Sequence, residues 1–409
     1  MALTANRIQY RVGHGGFHAT IVKPTISGSF EPLVYVYDAG ASPDVDLLER
    51  AIDSFVARLV TENVVRVNYV IISHIDEDHV NRLDYLLEAL KVAGIGPGIL
   101  MIPWLSDACK LLALARTSRR NPSAVAVNLL KQPSQVVQYA AGLGIEEVVF
   151  VRGGADDGGG NLVEIDSALS PTGTPVHGRV IPSGPIPLPR GVVPWQMIVS
   201  QLKPPLSTLK RFELEVKKLT GLDPSNQTNH ATLLQKSPKK SPKVHPNRKN
   251  VRKAMHRAAK ATQLNSGSAT LTNWSTLTLY SSSNSPFIRH PIPQAPNDFE
   301  MLCEHGWLHT GDLPVDSPKV WKSFKKVWKQ QLGKVRVCAL TAPHHGSKKT
   351  HNIALYRRFK PSVALFNLGL SSRSTRGNPK YSKWINPKPA LIAVRQLKNI
   401  KVRILNNRI

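Results

Sequence analysis

Ten residues, Ser73-His74-Ile75-Asp76-Glu77-Asp78-His79-Val80-Asn81-Arg82, constrain this chain more than any other stretch. They follow Val67-Asn68-Tyr69-Val70-Ile71-Ile72, a run rich in β-branched and aromatic residues that reads as a buried strand. After them Leu83, Leu86, Leu87 and Leu90 recur at helical spacing, and Gly94 stands where a helix C′ residue belongs. Two histidines and three carboxylates are thereby confined to a tight turn between a strand end and a helix start. Imidazole and carboxylate groups so close together on a rigid support can converge on a divalent cation. The plainer reading is that acidic residues before a helix offset its dipole. The placing of His74, Asp76, Asp78 and His79 on alternate or adjacent positions favours the metal reading.

Around this turn, strand and helix patterns alternate, which argues α/β layers rather than an all-β fold. Strands are predicted at Ile8 to Val12, Phe17 to Val22 and Leu33 to Tyr37, the last ending in Asp38-Ala39-Gly40. Ser42-Pro43 opens a helix to about Val60. A strand at Ile99 to Pro103, helices over 104–117 and 122–142, and a strand at Val148 to Val151 follow. Residues 168–206 are Pro-rich, with a strand pattern only at Trp195 to Leu202, and 207–219 reads as a helix. The later chain predicts a strand at Ala269 to Tyr280 that contains Asn273 and Ser275, and another at Gly306 running into Asp312. A helix from Ser317 to about Gln330 turns Lys319, Lys322, Lys326 and Lys329 to the wet side. Its tryptophans read as packing residues. Val335 to Leu340 is a strand leading into Thr341-Ala342-Pro343-His344-His345-Gly346-Ser347. A helix over 351–359, a strand at Val363 to Leu368, a helix over 387–396 and a strand over 400–405 close the pattern.

Charge bounds the partners. Lys and Arg number 54 against 27 Asp and Glu, a net charge of +27, which favours a polyanion such as nucleic acid or an anionic surface. From Lys236 to Lys260 there is no acidic residue. Its first part, Lys236 to Lys243, is repetitive and reads as disordered, and 248–262 as a basic helix. The segment is either a solvated, mobile insertion or an arm that contacts polyphosphate or a partner protein. We therefore divide the chain into 1–203 and 266–409, two halves of one domain, with 204–265 as a basic Pro/Lys/Ser-rich insertion. No stretch reaches the ~18 uninterrupted apolar residues of a membrane span, and Met1 to Tyr10 has no signal-peptide pattern. Cys109, Cys303 and Cys338 form no CxxC pair and suggest a reducing compartment, so a cytoplasmic, membrane-free protein is expected. Oligomeric state is not legible.

Four strand ends offer metal-ligand chemistry: Asp38, the His74 to His79 turn, Asp312, and His344-His345. At these residues the sequence resembles the metallo-β-lactamase-fold hydrolases, most closely the branch that includes the hydrolase domain of ComEC-type competence proteins. The resemblance is carried by His74-Ile75-Asp76-Glu77-Asp78-His79, Asn273-Trp274-Ser275, Thr310-Gly311-Asp312 and Pro343-His344-His345-Gly346-Ser347. Val12-Gly13-His14-Gly15 and Asp38-Ala39-Gly40 are similar as well. Gly377-Asn378-Pro379 matches a Gly-His-Pro loop with Asn in place of His.

The resemblance implies an αββα sandwich with the site along one edge of two sheets, holding one or two divalent ions, zinc or manganese. Asp78, His79, Asp312 and His344 or His345 would hold one ion. His74, Asp76 and Asp312 would hold the other, with Asp312 between them. Asp38 would orient a ligand, with Ser73 and Asn273 as further supports. A carboxylate at position 76 hardens its site and tilts it towards manganese or magnesium relative to zinc. His309 and His230 are considered as further ligands and read as ordinary polar residues. The ligand set together with the positive charge makes hydrolysis of phosphodiester bonds in nucleic acid by metal-activated water the expected activity, with Asp76, Asp78 and His345 as catalytic residues. Arg82, Ser347, Lys348, Arg373 and Asn378 would contact substrate. Two other readings stay open: hydrolysis of a small phosphoester, lactone or thioester, and a non-catalytic component that binds nucleic acid or a partner through the basic arm.

Overall fold

The computed structural model describes residues 3–25, 30–42, 45–116, 123–153, 163–204, 206–226, 229, 250–251, 253–254, 257–258, 273–283, 299–302, 306–332, 337–346, 352–361, 363–366, 390–393 and 399–406. The first half opens with β1 (Leu3–Tyr10), β2 (Gly15–Pro24) and β3 (Leu33–Ala41), then α1 (Val45–Thr61) and β4 (Arg66–Ile71). The turn from His74 passes into the short helix α2 (Glu77–Val80), and α3 (Leu83–Val92) leads to β5 (Gly96–Pro103). Next come α4 (Asp107–Arg116), α5 (Ala124–Leu129), α6 (Pro133–Gly142), β6 (Glu147–Arg152), β7 (Val163–Leu169) and β8 (Pro175–Pro182). The second half runs β9 (Gly184–Pro185), β10 (Trp195–Gln201), α7 (Leu206–Thr220), β11 (Leu277–Ser283), β12 (Phe299–Leu302) and β13 (Gly306–His309). It closes with α8 (Pro318–Leu332), β14 (Val337–Thr341), α9 (Ile353–Phe359), β15 (Val363–Phe366), β16 (Ala390–Ala393) and β17 (Asn399–Asn406).

Two sheets form. One has the order β12-β17-β1-β2-β3-β4-β5-β6-β8-β7, the other β16-β15-β14-β13-β11-β10-β9. Along β3 the side chains alternate between two cores. Val34 and Val36 face one with Leu48, Phe55, Leu86 and Leu90; Leu33, Tyr35 and Tyr37 face the other with Met197, Leu279 and Trp307. The first core lies under α1 and α3, and the second lies between the sheets. A third, with Phe212, Val216, Val320, Phe324 and Leu355, lies under the helices on the far side of the second sheet. Three apolar layers between four layers of structure make the mixed α/β sandwich expected from the sequence. A strand buried on both faces is apolar at most positions, which is why β3 and β4 read as near-continuous runs, with the buried Asn68 satisfied by the Val34 N–H at 2.7 Å. Among the described residues no helix is long and apolar enough to cross a membrane.

Several local expectations are corrected. Residues 122–142 form two helices, because Pro133 has no N–H for an interior turn and starts a new helix as its first residue. The strand expected from Ala269 begins only at Leu277, so Asn273, Trp274 and Ser275 precede it in a turn. Residues 390–393, expected in a helix, are a strand paired in parallel with β15. The Pro-rich stretch contains β8, paired with β6 and β7. At the start of the presumed insertion, α7 packs Phe212 and Val216 into the third core beside Leu111 and Leu112. Val251, Ala254 and Ala258 join the same core, and Arg257 pairs with Glu215 at 3.3 Å. That part of the basic helix is therefore docked. Residues 230–249 lie outside the described residues. Cys109 is a free, buried thiol, whereas Cys338 is disulfide-bonded, against the expectation of reduced cysteines.

Candidate metal centre

The sequence folds its chemistry onto one edge because β3, β4, β13 and β14 all end there. β3 pairs in parallel with β4, and β13 with β14, so their C-terminal turns emerge side by side. Backbone bonds tie the edges together: Leu277 N–H donates to the Ser73 carbonyl (2.7 Å), and His344 N–H donates to the Gly311 carbonyl (2.9 Å). Tyr37 Oη donates to the Leu277 carbonyl at 2.6 Å.

Asp38 organises the first half of the site. It is a non-glycine residue at φ 62, and its buried carboxylate accepts from Ser73 N–H (2.6 Å), Ser73 Oγ (2.8 Å) and His79 Nδ1 (2.8 Å). Ser73 has spent its only proton on Asp38, so at 3.0 Å it accepts from His74 Nδ1. Both imidazoles are thus fixed with Nδ1 protonated and Nε2 turned into the site. Asp38 therefore supports one ligand directly and another through Ser73, the kind of outer partner that orients metal-binding histidines.

The glycines around Asp38 permit this packing. A Cβ on Gly40 would lie 2.3 Å from His79 N and 2.4 Å from its carbonyl carbon, so only glycine lets β3 pass beneath α2. Gly40→Ala is expected to push the Asp78–His79 backbone outward, break the Asp38–His79 bond and lower both melting temperature and metal content. Unchanged values in calorimetry and elemental analysis would contradict this packing account.

The second half brings Asp312 and the His344-His345 pair. These histidines occupy consecutive left-handed positions, at φ 49 and φ 54, a conformation that costs energy for residues with a Cβ and concentrates at functional sites. Asp312 Oδ1 lies 3.4 Å from His79 Nε2 and 3.4 Å from His345 Nε2. Its Oδ2 lies 3.7 Å from His74 Nε2 and 3.5 Å from His344 Nε2. Asn273 Nδ2 donates to Oδ2 at 3.4 Å. His74 Nε2 is 3.6 Å from Asp76 Oδ2, and His345 Nε2 is 3.3 Å from Asp78 Oδ2.

These separations carry the fit test for a cation. They are too long for good hydrogen bonds, and the buried atoms His74 Nε2, His79 Nε2, His345 Nε2 and Asp312 Oδ1 have no hydrogen-bond partner. Leaving four such atoms unsatisfied at one spot is costly. Two ligand atoms each ~2.0–2.1 Å from one tetrahedral ion stand about 3.4 Å apart, so the donors are spaced as if around ions. Two groups meet this condition: His74, His79 and Asp312, all buried, and His14, Asp78 and His345 nearer the solvent.

Electrostatics agree. Burial opposes charge on His79, but Asp38, Asp312 and Asp78 outweigh it and raise its pKa well above the imidazole range. Burial likewise opposes the Asp78 and Asp312 carboxylates. His79 and His345 overcome it at Asp78, and His344, His345 and His79 at Asp312, so both are held well below the usual range. Such a concentration of carboxylate is a cation-attracting field. His345 and burial lower His14 to about 4, leaving it a neutral imidazole at pH 7.

The structure thus brings together His74, Asp76, Asp78, His79, Asp312, His344 and His345, with Asp38, Ser73 and Asn273 behind them. The grouping differs from the sequence expectation: His79 falls with His74, and the partner of Asp78 and His345 is His14, not previously a candidate ligand. Its signal was a lone histidine among Gly13, Gly15 and Gly16. The Arg82 guanidinium, an expected phosphate contact, is engaged by Glu49 Oε1 (2.6 Å) and the Asn81 carbonyl (2.9 Å). His309 belongs to a buried inter-sheet cluster, with Nδ1 3.2 Å from Thr341 Oγ1 and its ring 4.2 Å from that of His18. Ser347, Lys348, Arg373, Asn378 and His230 lie outside the described residues.

A family model described as the Metallo-beta-lactamase superfamily matches residues 33–181. That span runs from β3 to β8 and includes Asp38 and the His74 to His79 turn. No curated protein matches the chain. Among solved structures it is similar to the metallo-beta-lactamase fold protein YhfI from Bacillus subtilis, at 8% identity over 97% of this chain and 99% of that one, TM-score 0.38. It is also similar to a diphosphatase from the PhnP family, at 8% identity over 96% and 95% of the chains, TM-score 0.35. A long-form RNase Z from yeast aligns at 10% identity over 90% of this chain and 38% of that chain, TM-score 0.34. The family match is confined to residues 33–181, and over that span, on a mixed α/β two-sheet frame, this chain is similar to the metallo-beta-lactamase superfamily.

Proposed function

We propose that the protein is a metal-dependent hydrolase that cleaves phosphodiester bonds in nucleic acid. The observation that carries the metal-dependent part is the convergence of orphaned, buried Nε2 atoms on the Asp312 carboxylate. Divalent cations in these two positions would acidify water and clamp a phosphoryl oxygen. Zinc and manganese are the candidate ions; the 3.3–3.7 Å donor spacing suits either a tetrahedral ion or a slightly wider shell. The chain's own residues do the rest. Asp38 and Ser73 hold His79 and His74 in one tautomer, and Asp312 sits between the two groups. The Asp76 carboxylate, 3.6 Å from His74 Nε2 and partly open to solvent, would take a proton from the attacking water.

The polyanion part rests on charge. The net charge is +27, and α8 carries Lys319, Lys322, Lys325, Lys326 and Lys329, all exposed, with no carboxylate along its length. This helix joins the Asp312 turn to β14, so it lies in sequence between two ligand-bearing turns. Phosphate backbone is the partner that such a face fits. The motif pattern around His74 to His79 and Pro343 to Ser347 supports the ComEC-type branch as the nearest in chemistry.

The test combines elemental analysis with cleavage of labelled single-stranded DNA in added Mn²⁺, for the wild type and Asp78→Ala. The expected result is bound metal in the wild type and a loss of turnover of at least about a hundredfold in the variant, with DNA binding retained. Metal without cleavage would redirect the search to small phosphoesters. No metal, with DNA binding unchanged in both proteins, would make the non-catalytic reading the better one.

A further inference from the structure

Resting on the reading of this site as a metal centre, we infer that His14, Asp78 and His345 form a separable outer cation position. It is weaker than the inner one built by His74, His79 and Asp312, and His14 is its removable ligand. The geometry distinguishes the two. His14 Nε2 lies 3.3 Å from Asp78 Oδ2, and His345 Nε2 lies 3.3 Å from the same oxygen, so three donors from three elements surround one point. The His14 and His345 rings are 4.2 Å apart. His345 Nε2 is buried and without a hydrogen-bond partner, so it is a donor aimed at that point.

The ligands of the inner position are 3–4% exposed at their side chains, and Asp38 and Ser73 lock both its imidazoles. In the outer position the side chains of His14 and Asp78 are 40% and 19% exposed. The His14 ring has only Asp78 and His345 as polar or ring partners among the described residues. It stands on the turn between β1 and β2, flanked by Gly13 at φ 76 and Gly15 at φ 152, and only its carbonyl is tied, by Ser42 N–H at 2.8 Å. A cation there replaces fewer fixed contacts, and the ring gives up more freedom on binding. The inner position should therefore load first, and the outer position should exchange with bulk metal.

The two positions are also electrically linked. The Asp312 carboxylate touches the inner ligands and, through Oδ1, also faces His345 at 3.4 Å. An ion at the inner position compensates that carboxylate and lowers its pull on a second cation. This places the outer affinity below the inner even before exposure is considered.

Titration of metal-free full-length protein with Zn²⁺ alone, followed by calorimetry, tests this without any turnover measurement. Two classes of binding are expected in the wild type. In His14→Ala the tight class should be unchanged and the weak class weakened at least about tenfold, the least expected for disturbing even an outer partner of a ligand. His14→Gln, which keeps a polar group on the turn, should behave the same way. Melting curves in chelator should coincide for all three proteins, because the ring stabilises nothing else. Two classes of unaltered affinity in both variants would overturn the inference while leaving the metal centre intact. Weakening of the tight class in both variants would overturn it too, by showing that His14 serves the inner ion. A wild type that binds no Zn²⁺ would instead defeat the metal-centre reading itself.

Discussion

Asp312→Ala should empty both cation positions at once and reduce turnover by about 10³-fold or more. No other side chain in the site reaches so many donors. Its two oxygens lie 3.4–3.7 Å from the Nε2 atoms of His79, His345, His74 and His344. Removing it takes a ligand from the inner group and strips the negative charge that faces His345 of the outer group. The variant should fall from about two ions per chain, as two-metal sites hold, to well under one. Four imidazoles would then lose the carboxylate they share, leaving Asp38, Asp76 and Asp78 as the remaining counter-charges, so some loss of stability is expected as well. Asp312→Asn separates the two effects. It keeps the side-chain shape, so it should fold like the wild type while still losing metal. Elemental analysis, calorimetric melting and turnover on one preparation of each protein decide the matter. Two retained ions with turnover within about twofold of wild type would show that neither position depends on Asp312.

How much of this was legible in the sequence depends on how local each signal is. The runs at 33–37 and 67–72 are apolar on both faces, so their burial needs no partner to be named, and each ends in a functional residue. Gly94, at φ 70 just after α3, closes its helix as its position suggested. The His74 to His79 turn declares itself because five of its six residues are histidines or carboxylates. The Arg82–Glu49 pair was not legible, because the partners are 33 residues apart and only the packing of α3 against α1 brings them together. His14 was passed over for the same reason: it is 64 residues from Asp78 and 331 from His345, and its only local signal is the glycines around it. β8 was hidden by its composition. Prolines stand at both ends, and Gly178 interrupts it because a Cβ there would come within 2.5 Å of Val137 on α6. The strand is weakened in propensity so that a helix can lie on it. At 390–393, Ala and Leu suit a helix, but edge pairing to β15 overrides that preference.

Trp307→Ala should cost about 3–5 kcal/mol of folding stability while leaving the metal ligands in place. Trp307 is fully buried between the sheets, on β13, where it pairs with Ser281 of β11 and Ala339 of β14. Its ring stacks on His309 at 5.1 Å and meets the edge of His18 at 4.4 Å, while Nε1 donates to Thr341 Oγ1 at 2.9 Å. Truncation would open a cavity among His18, His309 and Thr341, groups that pack against the indole and cannot collapse without uncovering polar atoms. A typical domain has only about 5–15 kcal/mol to lose, so the variant should melt far earlier. Trp307→Phe retains most of the packing and loses only the bond to Thr341, and should cost nearer 1 kcal/mol plus the smaller ring volume. The strand-end turns that hold Asp38, His74, His79 and Asp312 are anchored by their own hydrogen bonds, so metal content of the folded fraction should match wild type. Denaturant unfolding in excess chelator isolates the packing term, because bound metal would otherwise add its own stabilisation to the native state. A loss below about 1 kcal/mol for the alanine variant would mean that Trp307 does not join the two sheets as its burial indicates.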